Sequence, residues 1–506
     1  ALAESGSIDQ AEFVVTNWGA LQTNLDEPTK KVIDATLESD IKWGGSSLTI
    51  PAGKNVTINL NAHSIDAENN GTVIKVSGTL TLENTGNIGW GGGPGSGAAS
   101  GRLMNGTSSE EGGAGGIYIA PGGKLIMNGG FIYNCTSTHS SNGAGGVYVS
   151  EGATFEMNAG AIHYCNGHPS NGLLVTASDV VNRGTFTMTG CPMLHSGHAG
   201  SSNTSDTIIY NSGTFYANAS NDSLIYNDSS GTNINSNVVN VGTIQSAPNT
   251  YGPKFRVPVI NMGLGYGTIC GGVYESTVSN SATISGGTFS GTVNNCEGGN
   301  LAGRISGGNF QNATVNGTYT VNVTAGANMT VTSGSTTQSD LLVENMTPVV
   351  VTANDGYYFP DNYNVAEKDG VTVTRDSASQ VTVSGMPCFN VDITLPDATA
   401  KTKAETPSAV FTATGSDTGT LTDVDSGMQY SLDKGATWKN INGSSAELTG
   451  LTSGTEIQII KKGGATATDS AIQTIKLTQA ATPTASFAAT GTDSGTLNGV
   501  SSGMQY

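Results

Sequence analysis

Through the first 335 residues, apolar side chains recur at every second position in short runs. Leu48 to Leu60 alternates on either side of a Pro51-Ala52-Gly53 turn, and Ile117, Ile119, Leu125 and Met127 repeat the pattern. That is the period of a pleated strand with one buried face. Turn chemistry punctuates the runs, as at Pro121-Gly122-Gly123 and Asn128-Gly129-Gly130. Only Trp18 to Leu25 carries a helical apolar stripe, and it predicts one short helix.

The strands belong to repeats. Residues 112–135 and 142–165 align without a gap, with Tyr118 on Tyr148, Met127 on Met157, Ile132 on Ile162 and Cys135 on Cys165. A unit this small cannot bury its own apolar face, so successive copies must stack and share a core. Downstream the period shortens: residues 283–289 (TISGGTF) return as 304–310 (RISGGNF), 21 residues later. Coils of about 20–30 residues suit three short strands and three turns; a propeller blade needs about 40–50. The expected fold is all-β: a right-handed parallel β-helix over residues 1–335, followed by small β-sandwich modules.

From about 340 the pattern changes. Val349-Val350-Val351, Gly356-Tyr357-Tyr358-Phe359-Pro360, Val371 to Thr374 and Val381 to Val383 predict a small antiparallel β module over 340–400 with an aromatic plug. A Lys- and Thr-rich linker at 400–406 precedes a second repeat class. Residues 407–430 return as 483–506, 76 residues on, which suits one β-sandwich per copy. The expectation is one sandwich at 407–482 and the start of another at 483–506, making the chain part of something longer.

Composition narrows the function. Gly numbers 71 of 506 residues and charged residues are only 12%, about half the usual charged share. Abundant Asn, Thr, Ser and Gly suit tight coils with polar ladders. A net charge of −19 argues against a nucleic-acid partner, which needs clustered Lys and Arg. The five scattered arginines likewise disfavour an anionic substrate. Ala1-Leu2-Ala3 looks like the end of a cleaved secretory signal, and no apolar run is long enough to insert in a membrane. Any anchor is expected beyond Tyr506. Together these features predict an extracellular protein.

Six cysteines form no C-x-x-C pair and no metal-ligand spacing. Cys135 and Cys165 should stack about 4.8 Å apart. That spacing permits a disulfide; the alternative is a ladder of small side chains. Tyr118 and Tyr148 alternate with buried positions, so they are expected on an outer face. With Tyr133, Tyr164 and His163 they are candidates for a shallow ligand-binding strip, and the alternative is a ladder that merely stabilises stacked coils.

Catalytic constellations are sparse. Hydrolysis needs two flanking carboxylates, and the acidic residues of 100–335 contain no Asp-Asp pair. Gly197-His198-Ala199 only half resembles the G-H-G of polygalacturonase-like enzymes. His163, His168, His195 and His198 have two readings, convergence on one face of the coil or, more ordinarily, a set of stacked loop histidines. No catalytic residue, metal ligand or cofactor is therefore assigned. Asp423-Val424-Asp425-Ser426-Gly427 lacks the ligands of a calcium loop and reads as a solvated turn. Ser431, Asp433, Gly435, Thr437 and Trp438 match the S-x-D-x-G-x-T-W Asp-box of sialidases. Its physical task is a tight hairpin, and that structural role is assigned here.

The G-Y-Y-F-P module (356–385) and the G-M-Q-Y-S-L-D-K-G-A-T-W repeat together resemble modular, adhesin-like surface proteins of Gram-positive gut bacteria. The first half is similar to the pectate-lyase-like β-helix that opens many of them. Gly115 to Tyr118 and Phe131 to Asn134 also resemble the short repeats of polymorphic outer-membrane adhesins. The resemblance implies a secreted, cell-wall-associated protein, with the β-helix binding host or microbial glycan or a surface protein and the β modules as a stalk. The competing expectation is a polysaccharide lyase or glycoside hydrolase working in the β-helix groove.

Overall fold

The structure is a computed structural model that describes residues 9–86, 101–167, 175–189, 193–196, 205–217, 224–227, 235–246, 254–262, 267–295, 303–479, 484–502 and 504. It is a parallel β-helix followed by small β modules. From residue 32 on, the coils contribute short strands to three faces. Face I begins with Gln10–Val15, Val32–Leu37 and Asn55–Asn59; face II with Ile41–Lys42, Ser64–Asp66 and Arg102–Met104. Face III is an eleven-stranded parallel sheet from Leu48–Ile50 to Thr314–Asn316. The repeated segments stack in register, with Tyr118 on Tyr148, Met127 on Met157 and Ile132 on Ile162.

Faces I and II are separate ladders at first and merge near the C-terminal end. There, Thr268–Tyr274 and Thr283–Phe289 each run straight through the corner as one strand. Gly272 and Gly287 make the bend at φ of +96° and +103°, a conformation glycine adopts without a Cβ clash. The TISGGTF motif is thus a corner, and residues 268–274 are a further copy of it.

One side of every strand faces inward, and the inner columns are filled by type. On face I, Leu80, Leu125, Phe155, Phe186, Phe215, Ile244, Ile269, Ile284 and Ile305 lie in register, all fully buried. Phe155, Phe186 and Phe215 stack with centroids 4.8 Å apart. On face III one column begins with aliphatics (Ile50, Val76, Ile119, Val149) and then turns polar. Asn182, Asn211, Asn240, Asn261, Asn280 and Asn295 are fully buried, and each of the first five donates its Nδ2 to the next Oδ1 at 2.7 Å. The same amides donate to backbone carbonyls at Thr214, Thr243, Thr268 and Thr283. Sequence separation along the ladder falls from 29 to 15 residues while the bond length stays constant.

Both ends of the β-helix are covered. The helix Trp18–Leu25, N-capped by the Asn17 side chain, buries Trp18, Leu21 and Leu25. Gln22 exchanges hydrogen bonds with the Thr49 backbone and hydroxyl, pairing the exposed edge of face III through an amide that imitates a strand. At the far end, Asn295 donates to Tyr319 Oη at 2.9 Å, and Tyr319 Oη donates to Gly303 O at 2.7 Å. Phe389, Leu342 and Val343 pack against the same end, and Arg304 pairs with Asp369.

A second core contains Val321, Val323, Val349, Val351, Phe359, Val381, Val383 and Val391. The expected boundary at 335–340 therefore falls inside this module: Tyr319–Thr324 pairs with Thr337–Leu341 and with Val391–Thr394, and Met329–Ser333 with Val349–Ala353. Alternation continues unbroken from coil to module, so sequence period alone could not mark the change. The 319–324/391–394 pairing is parallel, which corrects the expectation of a wholly antiparallel module. Phe359 is its fully buried plug.

A third core, built on Leu421, Ile441, Leu448, Ile457 and Ile459, lies between a three-stranded and a four-stranded sheet. The segment expected as a linker is paired on both sides, Tyr357–Tyr358 with Thr399–Ala400 and Thr402–Lys403 with Ala467–Thr468. The hairpin Ser486–Ala489/Gly495–Asn498 repeats the pairing of Val410–Ala413 with Thr418–Thr422.

The ladder generates an asymmetric prediction. Asn182 Oδ1, at its first rung below Val149, has no partner among the described residues. Asn182→Val moves that orphan one rung to Asn211, whereas Asn240→Val creates a second orphan at Asn261. A newly orphaned buried acceptor costs about 1–3 kcal/mol. Urea midpoints should therefore fall clearly further for Asn240→Val than for Asn182→Val.

Candidate ligand-binding surface

The four candidate tyrosines divide between two faces. Tyr118 and Tyr148 occupy the outer side of face III, stacked at 6.0 Å and 28°. Tyr148 is closed off from solvent, while Tyr118 stays partly exposed. The loops between faces II and III form a small sheet of their own, Gly113–Ala114, Asn142–Ala144 and Val175–Ala177. With Ala114, Ala144, Ala177 and Val181, Tyr148 makes a satellite core and is only 4% exposed. Its hydroxyl donates to Asn142 Oδ1 at 3.2 Å, and burial pushes its pKa up. The expectation of an outer, exposed position is corrected for Tyr148, where small residues in the loops let an outer layer close over the ring; Tyr118 keeps a partly exposed outer position.

Tyr133 and Tyr164 do come together, on face II, with His163. Tyr133 lies 5.0 Å from the His163 ring and 5.4 Å from Tyr164, and His163 lies 5.1 Å from Tyr164. Phe131 adds an edge contact to His163 at 5.7 Å. Arg102, one coil earlier in register with Phe131, places its guanidinium 4.8 Å above the Tyr133 ring. Arg102 escaped the sequence reading because it lies outside the aligned repeat; its place one coil back from Phe131 was the available signal. All five side chains are partly exposed.

Tyr164 holds this cluster at a conformational cost. It sits at φ +54°, at the corner where the two preceding coils place Asn105 and Asn134 at +57° and +52°. Asparagine tolerates the left-handed region; an aromatic residue there is an outlier. The asparagines continue the corner as a polar ladder, Asn134 Nδ2 to Asn105 Oδ1 at 2.7 Å and Asn105 Nδ2 to Asp66 Oδ1 at 2.8 Å.

Cys135 and Cys165 are buried free thiols in adjacent coils, and the bridge their spacing permits is not formed. The Cys165 thiol donates toward the carbonyls of Ile132 and His163, and burial raises its pKa well above normal. Cys191, Cys296, His168 and His198 lie outside the described residues. His195 follows His163 in register. Among the described residues, no three His, Cys, Asp or Glu side chains gather as a metal site. Asp425 accepts from Gly427 N and pairs with Lys461 at 3.0 Å.

The Asp-box residues form a hairpin between Met428–Ser431 and Lys439–Asn440. Asp433 Oδ1 accepts from Ser431 Oγ at 2.6 Å and from Thr437 N at 2.8 Å; Oδ2 accepts from Thr437 Oγ1 at 2.5 Å. Ser431 Oγ accepts in turn from Gly435 N at 2.8 Å. Gly435 takes φ +85° beneath the Trp438 indole. The chain matches no known family model and no curated protein.

Hydrogen bonds from Ser431 and Thr437 hold the Asp433 carboxyl down at about 2. A depressed carboxyl stabilises the fold above its unfolded value near 4, and that contribution is lost as pH falls through 2. A carboxyl-carbon NMR titration should place the Asp433 midpoint near 2. Replacing Ser431 with Ala and Thr437 with Val together should return it toward the ordinary aspartate range.

Proposed function

We propose that this protein is a secreted, cell-surface adhesin-like molecule that binds glycan on face II of its β-helix, at Tyr133, His163 and Tyr164. The observation that carries the reading is Tyr164. It is an aromatic residue in a left-handed corner that neighbouring coils fill with asparagine, and strain of this kind is retained where a side chain is needed in place. Its rings form a partly exposed, tilted aromatic surface of the sort on which the apolar faces of sugars stack. Polar Asn105, Asn134 and Asp66 continue along the same corner and offer hydrogen bonds to hydroxyl groups. The acidic, weakly charged composition supports an extracellular setting. The paired segment 399–403 supports the small modules as a stalk that resists bending.

The test is a glycan array probed with the intact chain, with depolymerisation products read in the same wells. Tyr133→Ala should weaken the strongest signal about tenfold, equivalent to about 1.4 kcal/mol. Tyr164→Asn relieves the backbone while losing ring contacts worth about 0.5–1.5 kcal/mol. It should leave stability within about 1 kcal/mol of the parent and still lower binding. Signals untouched by both variants would overturn the face II site. New reducing ends or unsaturated products would make the protein a hydrolase or lyase instead.

A further inference from the structure

A second concave site lies near the N-terminal end, where the loops between faces II and III change length. The first two loops, 43–47 and 67–73, are short; the third, 105–116, is long and stands out as a wall. The step leaves a groove of about 460 Å³, within the usual range of small-molecule sites. Trp43, Lys75 and Glu110 line it together with Ser47, Thr107 and Ser109.

The indole is fixed in place. Trp18 meets it edge-on at 5.1 Å, and a Cβ on Gly71 would come within 2.6 Å of its ring. Glycine at 71 is what lets the ring lie against that loop. Lys75 Nζ grips both Glu110 oxygens, at 3.2 and 3.1 Å, so the groove carries both signs and no net charge from this pair. The hydroxyls of Ser47, Thr107 and Ser109 make no hydrogen bond to any described residue. A fixed aromatic wall, unengaged hydroxyls and a balanced ion pair suit a ligand with an apolar face, many hydroxyls and no charge. An anionic ligand would also meet a chain of net charge −19.

We propose that this groove binds an uncharged pyranose unit of a glycan, stacked on Trp43 with its hydroxyls on Thr107, Ser109 and the Lys75–Glu110 pair. The proposal rests on the glycan-binding reading above but places a separate subsite on the loop side of the coil.

Calorimetric titration of the intact chain with maltotetraose, cellotetraose, xylotetraose, galactotetraose and tetra-N-acetylchitotetraose tests it, with tetragalacturonate as the anionic comparison. At least one neutral oligosaccharide should bind in the millimolar range or tighter. Thr107→Val with Ser109→Ala should weaken it at least about tenfold, and that pair leaves the Trp43 packing alone should Trp43→Ala fail to fold. The binding that remains in Tyr133→Ala should be the part that the Thr107/Ser109 variant removes. Neutral binding lost in Tyr133→Ala but kept in the Thr107/Ser109 variant would overturn the groove and leave the face II reading standing. Equal or tighter tetragalacturonate binding would overturn the uncharged ligand. No neutral binding at all would overturn the groove, and the glycan array then decides the face II reading by itself.

Discussion

The C-terminal half of the β-helix depends on a column of buried side-chain amides. From Asn182 to Asn295 each amide must meet the next at hydrogen-bond distance, because an unpaired one would be stranded away from water. That requirement holds successive coils in one register while leaving the rest of each coil free to vary. Coils of 29 and of 15 residues share the column without disturbing it. The chain lengthens or shortens between the ladder positions, and loops are where ligands are met.

The ladder also ties the β-helix to the module on its C-terminal side. Its last amide reaches Tyr319, the first residue of a strand whose next inward side chains, Val321 and Val323, belong to the second core. The coil end is therefore closed by the neighbouring module, with Phe389 and the Arg304–Asp369 pair completing the contact. At the opposite end Gln22 serves the same purpose through one side chain. The edges of a long parallel sheet invite further pairing, and here Gln22 occupies part of one of them at Thr49.

Against that regular frame, departures stand out. Asparagine at positive φ is ordinary at the coil corners, and Tyr164 is not. The step from the loop at 67–73 to the longer loop at 105–116 makes a groove. Both candidate sites are local breaks in a repeat, which is where a scaffold of identical rungs can become specific.

The alignment of 112–135 with 142–165 was enough to predict Tyr118 over Tyr148 and Ile132 over Ile162, because in-register stacking of equal repeats is the only arrangement that buries every copy's apolar face. The period-2 pattern dictated strands, the helical stripe at 18–25 dictated the helix, and the spacing of Asp433 with Thr437 dictated the hairpin. All of these are local, or repeat at a fixed interval. What the loops do is neither. That Tyr148 lies under an outer sheet while Tyr133 and Tyr164 remain partly exposed depends on loops folding back over one face and not another. That the second module begins near 319 depends on strand partners some 70 residues away. Strand period, repeats and turn chemistry were written in the sequence because they depend on near neighbours. Which tyrosines reach solvent, and where one core yields to the next, was decided only when distant segments packed.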